Sequence, residues 1–230
     1  MSEVPTIRSS AQARLLLYKL IKGKLDKIEQ RLLGTDPALW ARVLEMLEHE
    51  VEANTDLRTD QIVLGQAFSY IERVTKDGLQ KQILKLTGQS LWIGQHPRDL
   101  LDAFIAEHSQ LIKSVQREQL TKINLGLKRC IREGRLLKDL TKDIQASTNL
   151  SKRRAQLIAR DGALSFSGNL TRHHQKSAGI KQYRWRTSQD ERVRKSHRAR
   201  NNKVYDWDGP GPYPRSEVNC RCDAVPVLEN

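Results

Sequence analysis

The sequence predicts an α+β protein: a long, mostly helical N-terminal region followed by a small C-terminal α+β domain. Three observations carry this. Apolar residues recur at helical spacing through most of the upstream chain. After Gly179 the period drops to two: Tyr183, Trp185 and Thr187 alternate with Arg184 and Arg186. From Asp208 to Pro214, three prolines and two glycines exclude a helix. Composition agrees. With 38% apolar, 5% aromatic and 29% charged residues, the chain suits long, partly exposed helices with a modest core. The segments so defined are an N-terminal helical region (1–97), a helical arm (98–150) and a compact C-terminal domain (151–230).

The elements follow in order. Leu15, Leu16, Leu17, Leu20, Ile21, Leu25, Ile28 and Leu32 predict a helix over 8–33, ended by Gly34. Asp36-Pro37 supplies a cap and a first-turn proline for a second helix through about Ala53, with Trp40, Val43, Leu44 and Leu47 as its stripe. Thr59-Asp60 opens a third, striped by Leu64, Phe68, Ile71 and Val74; Gly78 is a break, and the pattern resumes to Gly88. A loop with Gly94 and Pro97 precedes one long helix over 98–133, closed by Gly134. A short amphipathic segment, Leu136 to Ile144, comes next. Ser151 then caps a helix weakened by Gly162 and Gly168. Cys130, alone in a helical pattern, reads as a small buried hydrophobe. No repeat of solenoid length is present.

In the C-terminal domain, Tyr183 to Thr187 is a strand with one apolar and one cationic face. Ser188 with Glu191 forms a capping box, so a helix starts there and puts Asp190, Val193, Arg194 and His197 on one face. Asn201-Asn202 is a turn before a short strand, Val204 to Trp207. A last strand, Cys220 to Val227, places Cys220 and Cys222 on the same face.

Net charge is +13, and residues 151–230 hold 17 Lys and Arg against 8 Asp and Glu, a balance of +9. An anionic partner is expected for that part. Nine cations, Lys181, Arg184, Arg186, Arg192, Arg194, Lys195, Arg198, Arg200 and Lys203, face only Asp190 and Glu191 and lie among Tyr183, Trp185, Tyr205 and Trp207. Guanidinium groups beside aromatics suit phosphate contact with some stacking; a solvated basic face is the plain alternative. No apolar run reaches the ~20 residues of a membrane span. Met1 to Pro5 carries no basic-then-apolar leader, so the expected compartment is a cytoplasm and a structural disulfide is not expected.

Two chemical readings of the remaining residues stay open. Asp190 and Arg194, four apart, make either a surface ion pair of about 0.3–0.5 kcal/mol or a partly buried pair against Trp185 that orients His197. His197, Cys220 and Cys222 are sound zinc donors, with Asp190 as a fourth, although one residue between the cysteines is fewer than usual. Otherwise the two thiols simply pack in a small core and no cofactor is held. His173-His174 reads as a polar helix end. No Gly-rich phosphate loop, serine nucleophile elbow or zinc-protease helix motif occurs.

The pattern Trp185-x-Thr187, Asp190-x-x-Val193-Arg194-x-x-His197, a Pro-rich loop, and Asn219-Cys220-Arg221-Cys222 with Pro226 resembles the C-terminal domain of phage Mu F-like head morphogenesis proteins. Ile158-Ala159-Arg160-Asp161 resembles the helix preceding that domain. The likeness is specific over about 150–227, looser over 98–150, and does not reach 1–97. Where the family has a glycine after the His helix, this chain has Asn201-Asn202, and asparagine also accepts positive φ. The resemblance implies a non-enzymatic minor capsid protein of a tailed phage, present in the virion head and in host cytoplasm during viral procapsid assembly. Its partners would be the portal protein, the procapsid and double-stranded DNA, with no membrane. The competing class is a nuclease-like or toxin-like enzyme with His197 as general base, Arg194 as phosphate stabiliser and a zinc-stapled cysteine pair.

Overall fold

The computed structural model describes residues 4–7, 10–53, 57–90, 92–94, 98–134 and 137–228. It is α+β as expected. The helices are α1 (Ala11–Leu33), α2 (Trp40–Ala53, entered through a 3-10 turn at Pro37–Leu39), α3 (Leu57–Thr87), α4 (Arg98–Glu133) and α5 (Leu137–Ser177). The C-terminal part adds β1 (Gln182–Arg186), a single turn α6 (Lys195–Arg198), β2 (Val204–Asp206) and β3 (Asp223–Val227). Pro97 and Leu136, placed by periodicity in the loop before α4 and at the start of the next segment, lie outside the described residues. Among the described residues, no helix is long and apolar enough to cross a membrane.

The chain divides into two compact units. One comprises Leu15–Leu64 and Ile105–Ala159. Its core is the apolar stripe of each helix turned inward: Ile28 and Leu32 from α1, Trp40, Leu44, Leu47 and Val51 from α2, Leu120, Ile123 and Cys130 from α4, and Leu140 and Ile144 from α5. Cys130 is thus the buried hydrophobe its pattern predicts. The entry to α2 is also as expected: Asp36 accepts from the Ala38 amide at 2.9 Å, with proline in the first turn.

The other unit comprises Met1–Arg14, Gly65–Phe104 and Arg160–Asn230. All three phenylalanines of the chain meet there: Phe166 lies 4.7 Å from Phe68 and 4.4 Å from Phe104, centroid to centroid. The sheet is antiparallel with order β2-β1-β3 and pairs Tyr183 with Tyr205 and Trp185 with Ala224. Its inner face, Tyr183, Trp185, Trp207 and Ala224, packs with Cys220 and Cys222. Buried Gln175 of α5 ties it together: its side chain donates to the Ala224 carbonyl at 2.8 Å and accepts from the Trp207 indole at 3.0 Å.

Several local expectations fail, each for a tertiary reason. Gly78 does not break α3. A Cβ there would stand 3.0 Å from Ile7 Cγ1, so the glycine makes room for a buried residue of the N-terminal segment. Ser151 caps nothing, because α5 runs unbroken through it and buries it. Gly168 sits in the same helix under the Pro-rich loop, where a Cβ would lie 2.7 Å from Arg215 Cβ and 3.0 Å from the Pro214 carbonyl oxygen. Helix propensity alone predicts that Gly168→Ala stabilises by about 1 kcal/mol. Overpacking against Arg215 reverses that, and a net loss of about 1–2 kcal/mol is expected in urea unfolding. A raised midpoint would show that the loop yields freely.

Candidate functional site

The site is built where β1 ends. Trp185 is fully buried, and beyond Arg186 the buried Thr187 donates through its amide and hydroxyl to Asn201 Oδ1 at 3.0 and 3.1 Å. The Asn202 amide donates to the Trp185 carbonyl at 2.8 Å with φ at 64°, so asparagine serves the turn where the family has glycine. The helix expected directly after Ser188 does not form. Gln189 takes φ 55°, and Asp190 accepts from the Arg192 amide at 3.0 Å in a side-chain turn. Helix begins only at Lys195.

That delay separates Asp190 from Arg194. Asp190 pairs instead with Arg221, bidentate at 2.5 and 2.7 Å, and the Arg221 guanidinium holds its carboxyl below the usual range. Arg194 reaches Glu217 at 3.2 Å and the Val218 carbonyl at 2.6 Å. The expected Asp190–Arg194 pair is therefore replaced by two pairs to the C-terminal loop, since a local register loses to longer-range carboxylates.

His197, 2% exposed, packs edge-on to Trp185 with centroids 5.2 Å apart. Its Nε2 is 2.6 Å from Glu217 Oε2; a carboxylate only accepts, so Nε2 carries a proton. Its Nδ1 faces Cys220 Sγ at 3.7 Å and Cys222 Sγ at 3.5 Å. The cysteines precede β3 rather than lie in it, so strand alternation does not align them. Both sulfurs nevertheless converge on one ring nitrogen, and the three donor atoms lie within 4.8 Å of one another. The Cys222 thiol hydrogen-bonds to Cys220, which lowers the pKa of Cys220 and raises that of Cys222. Asp190, the fourth ligand considered from sequence, is not in this group among the described residues. With Nε2 donating to Glu217, the lone pair of His197 rests on Nδ1, which faces the two sulfurs.

Helix α5 clamps the cysteine loop. Asp161 accepts from the Asn219 amide at 2.6 Å, and Arg160 Nε donates to Asn219 Oδ1 at 2.9 Å. Asn219 stands at φ 57°. The Arg160-Asp161 pair of the sequence motif thus orients the turn that aims Cys220. A cavity of about 180 Å³ opens beside the three donors and is rimmed by Arg160, Arg192, Arg194 and Arg221.

Residues 121–225 match the family described as Phage Mu protein F like protein. This stretch is similar to the phage Mu F-like family. The match begins inside the looser part of the resemblance, near the end of α4, and covers the His197, Cys220 and Cys222 cluster. A Haemophilus influenzae protein described as uncharacterized is 35% identical over 133 residues, 56% of this chain and 30% of its own length. The chain therefore spans about 30% of the curated relative it matches. No solved structure matches.

The remaining basic candidates differ in how far they are committed. Lys181, Arg184, Arg192, Lys195 and Arg198 are exposed. Arg200 stacks its guanidinium 5.2 Å from the Trp185 ring centroid. Arg186 is withdrawn: it pairs with Asp223 at 3.0 Å and donates to the carbonyls of Val4 and Pro5. Sequence reasoning missed Glu217, Asp223 and Arg215, all of which act across long sequence separations. Arg215, buried at φ 72°, donates to Ser167 at 2.5 Å, to the Cys222 carbonyl at 3.2 Å and to the Ile7 carbonyl. A lone arginine after a proline carries no signal of such a role.

Proposed function

We propose that this protein is a non-enzymatic minor head protein acting in head morphogenesis of a tailed phage. The match of residues 121–225 to the phage Mu F-like family carries this reading. The helical region would dock on portal or procapsid protein, and the basic C-terminal part would contact double-stranded DNA during assembly or delivery. The virion head is its place, with host cytoplasm as the site of assembly.

The DNA part rests on five exposed cations without a carboxylate partner among the described residues: Lys181, Arg184, Arg192, Lys195 and Arg198. Arg186 and Arg194 are held by Asp223 and Glu217 and are left out of the interface. Counterion release then sets the expected behaviour. If all five reach phosphates, log K for duplex DNA falls with log salt at a slope of about −4 to −5. A K181A/R184A/K195A variant flattens that slope by about 3 while sparing sequence preference. Full-length protein that fails to retard duplex DNA at low salt would remove the DNA role. Absence of the protein from purified proheads and portal complexes would remove the assembly role.

A further inference from the structure

We propose that His197 Nδ1, Cys220 Sγ and Cys222 Sγ bind a zinc ion, with the fourth coordination position opening on the arginine-rimmed cavity. The inference stands apart from the assembly role and rests on geometry. Tetrahedral zinc, with bonds of about 2.3 Å to sulfur and 2.0–2.1 Å to nitrogen, holds N and S donors about 3.5–3.6 Å apart. The observed Nδ1–Sγ distances are 3.5 and 3.7 Å. The side chains already stand near the edges of that tetrahedron.

Three further features belong to a metal site. All three donors are buried, which keeps water from competing for the ligands. Glu217 grips the far ring nitrogen at 2.6 Å, the carboxylate–histidine arrangement that fixes the ring and turns a lone pair on Nδ1 toward the ion. Cys220 Sγ also accepts from the Arg215 amide at 3.2 Å, an outer contact that orients the sulfur. Two thiolates with a neutral imidazole balance a divalent charge. The positive φ at Asn219 lets two cysteines with one residue between them converge, which their spacing alone does not promise.

The test uses the full chain purified under reducing conditions without chelator. About one zinc per chain is expected by elemental analysis, lost in Cys222→Ser and retained in Cys130→Ser. Cobalt added to metal-stripped wild-type protein should give a thiolate-to-metal charge-transfer band and the visible bands of a tetrahedral site. This second readout needs no variant to fold. Glu217→Gln keeps every ligand and should lower zinc affinity by about 10–100-fold in chelator competition. An unchanged affinity would overturn the role given to Glu217. Wild-type protein without zinc that also yields no cobalt charge-transfer band, or a resting Cys220–Cys222 disulfide, would overturn the site.

Discussion

Asp223→Ala should cost about 3–5 kcal/mol of stability, the loss expected when one member of a buried charge cluster is removed. Asp223 is 4% exposed and accepts from the Ile7 amide at 3.0 Å, from Gln82 at 2.9 Å and from Arg186 at 3.0 Å, with Arg215 at 4.0 Å. Truncation leaves the buried Arg215 guanidinium and the part-buried Arg186 guanidinium without this counter-charge. It also frees the segment Val4 to Ile7, whose carbonyls Arg186, Gln82 and Arg215 bind. Urea unfolding reads the stability, and brief proteolysis reads the release of the N-terminal segment. Asp223→Leu combined with Arg186→Met should recover part of the loss, because an apolar pair needs no desolvated charge. A loss under about 1 kcal/mol for Asp223→Ala would mean that the cluster is hydrated in solution.

Trp185→Ala should be comparably severe, at about 3–5 kcal/mol. The side chain is fully buried at the centre of the sheet's inner face. It supports the His197 ring, the Tyr205 ring at 6.2 Å and the Arg200 guanidinium at once. Against a total of about 5–15 kcal/mol for an ordinary domain, such a loss is a large share. Near-ultraviolet circular dichroism and the urea midpoint should both collapse, while far-ultraviolet signal from the long helices persists. Trp185→Phe should retain most of the stability. If the alanine variant unfolds within about 1 kcal/mol of wild type, the aromatic core is not the centre of this domain.

The two variants test different parts of one device. Trp185 fixes the wall against which His197 sits. Asp223 follows Cys222 directly, and its partner Arg215 bonds both Cys222 and Cys220 through side chain and amide. The cysteine loop is therefore held from three sides: by Arg215, by the Arg160-Asp161 clamp of α5 and by Glu217. None of these needs a disulfide, in keeping with three free cysteines.

The cationic surface is narrower than its charge count. Of the nine cations between Lys181 and Lys203, Arg186 and Arg194 are committed to carboxylates of the same chain. Each ties the C-terminal loop to the rest of the domain. Basic composition near a functional motif thus divides into side chains that build the domain and side chains offered to a partner.

What the sequence determined by itself was whatever depends on neighbours a few residues away. Apolar spacing is local, so α1 to α4 and β1 were legible within a few residues. The identity of Asn202 licensed its positive φ, and prolines excluded a helix after Asp208. The motif around His197 was legible as a pattern, though not as geometry. Tertiary structure alone decided the rest, because the deciding partners are far apart along the chain. Asp223 meets Ile7 across 216 residues, Glu217 meets His197 across 20, and Arg215 meets Ser167 across 48. The capping-box signal at Ser188 was a true local preference, and it was outweighed when Asp190 gained Arg221 and Arg194 gained Glu217. A glycine inside a helix looks like a weakness from sequence. At Gly78 and Gly168 it is the space another segment needs, and only the folded chain supplies that segment.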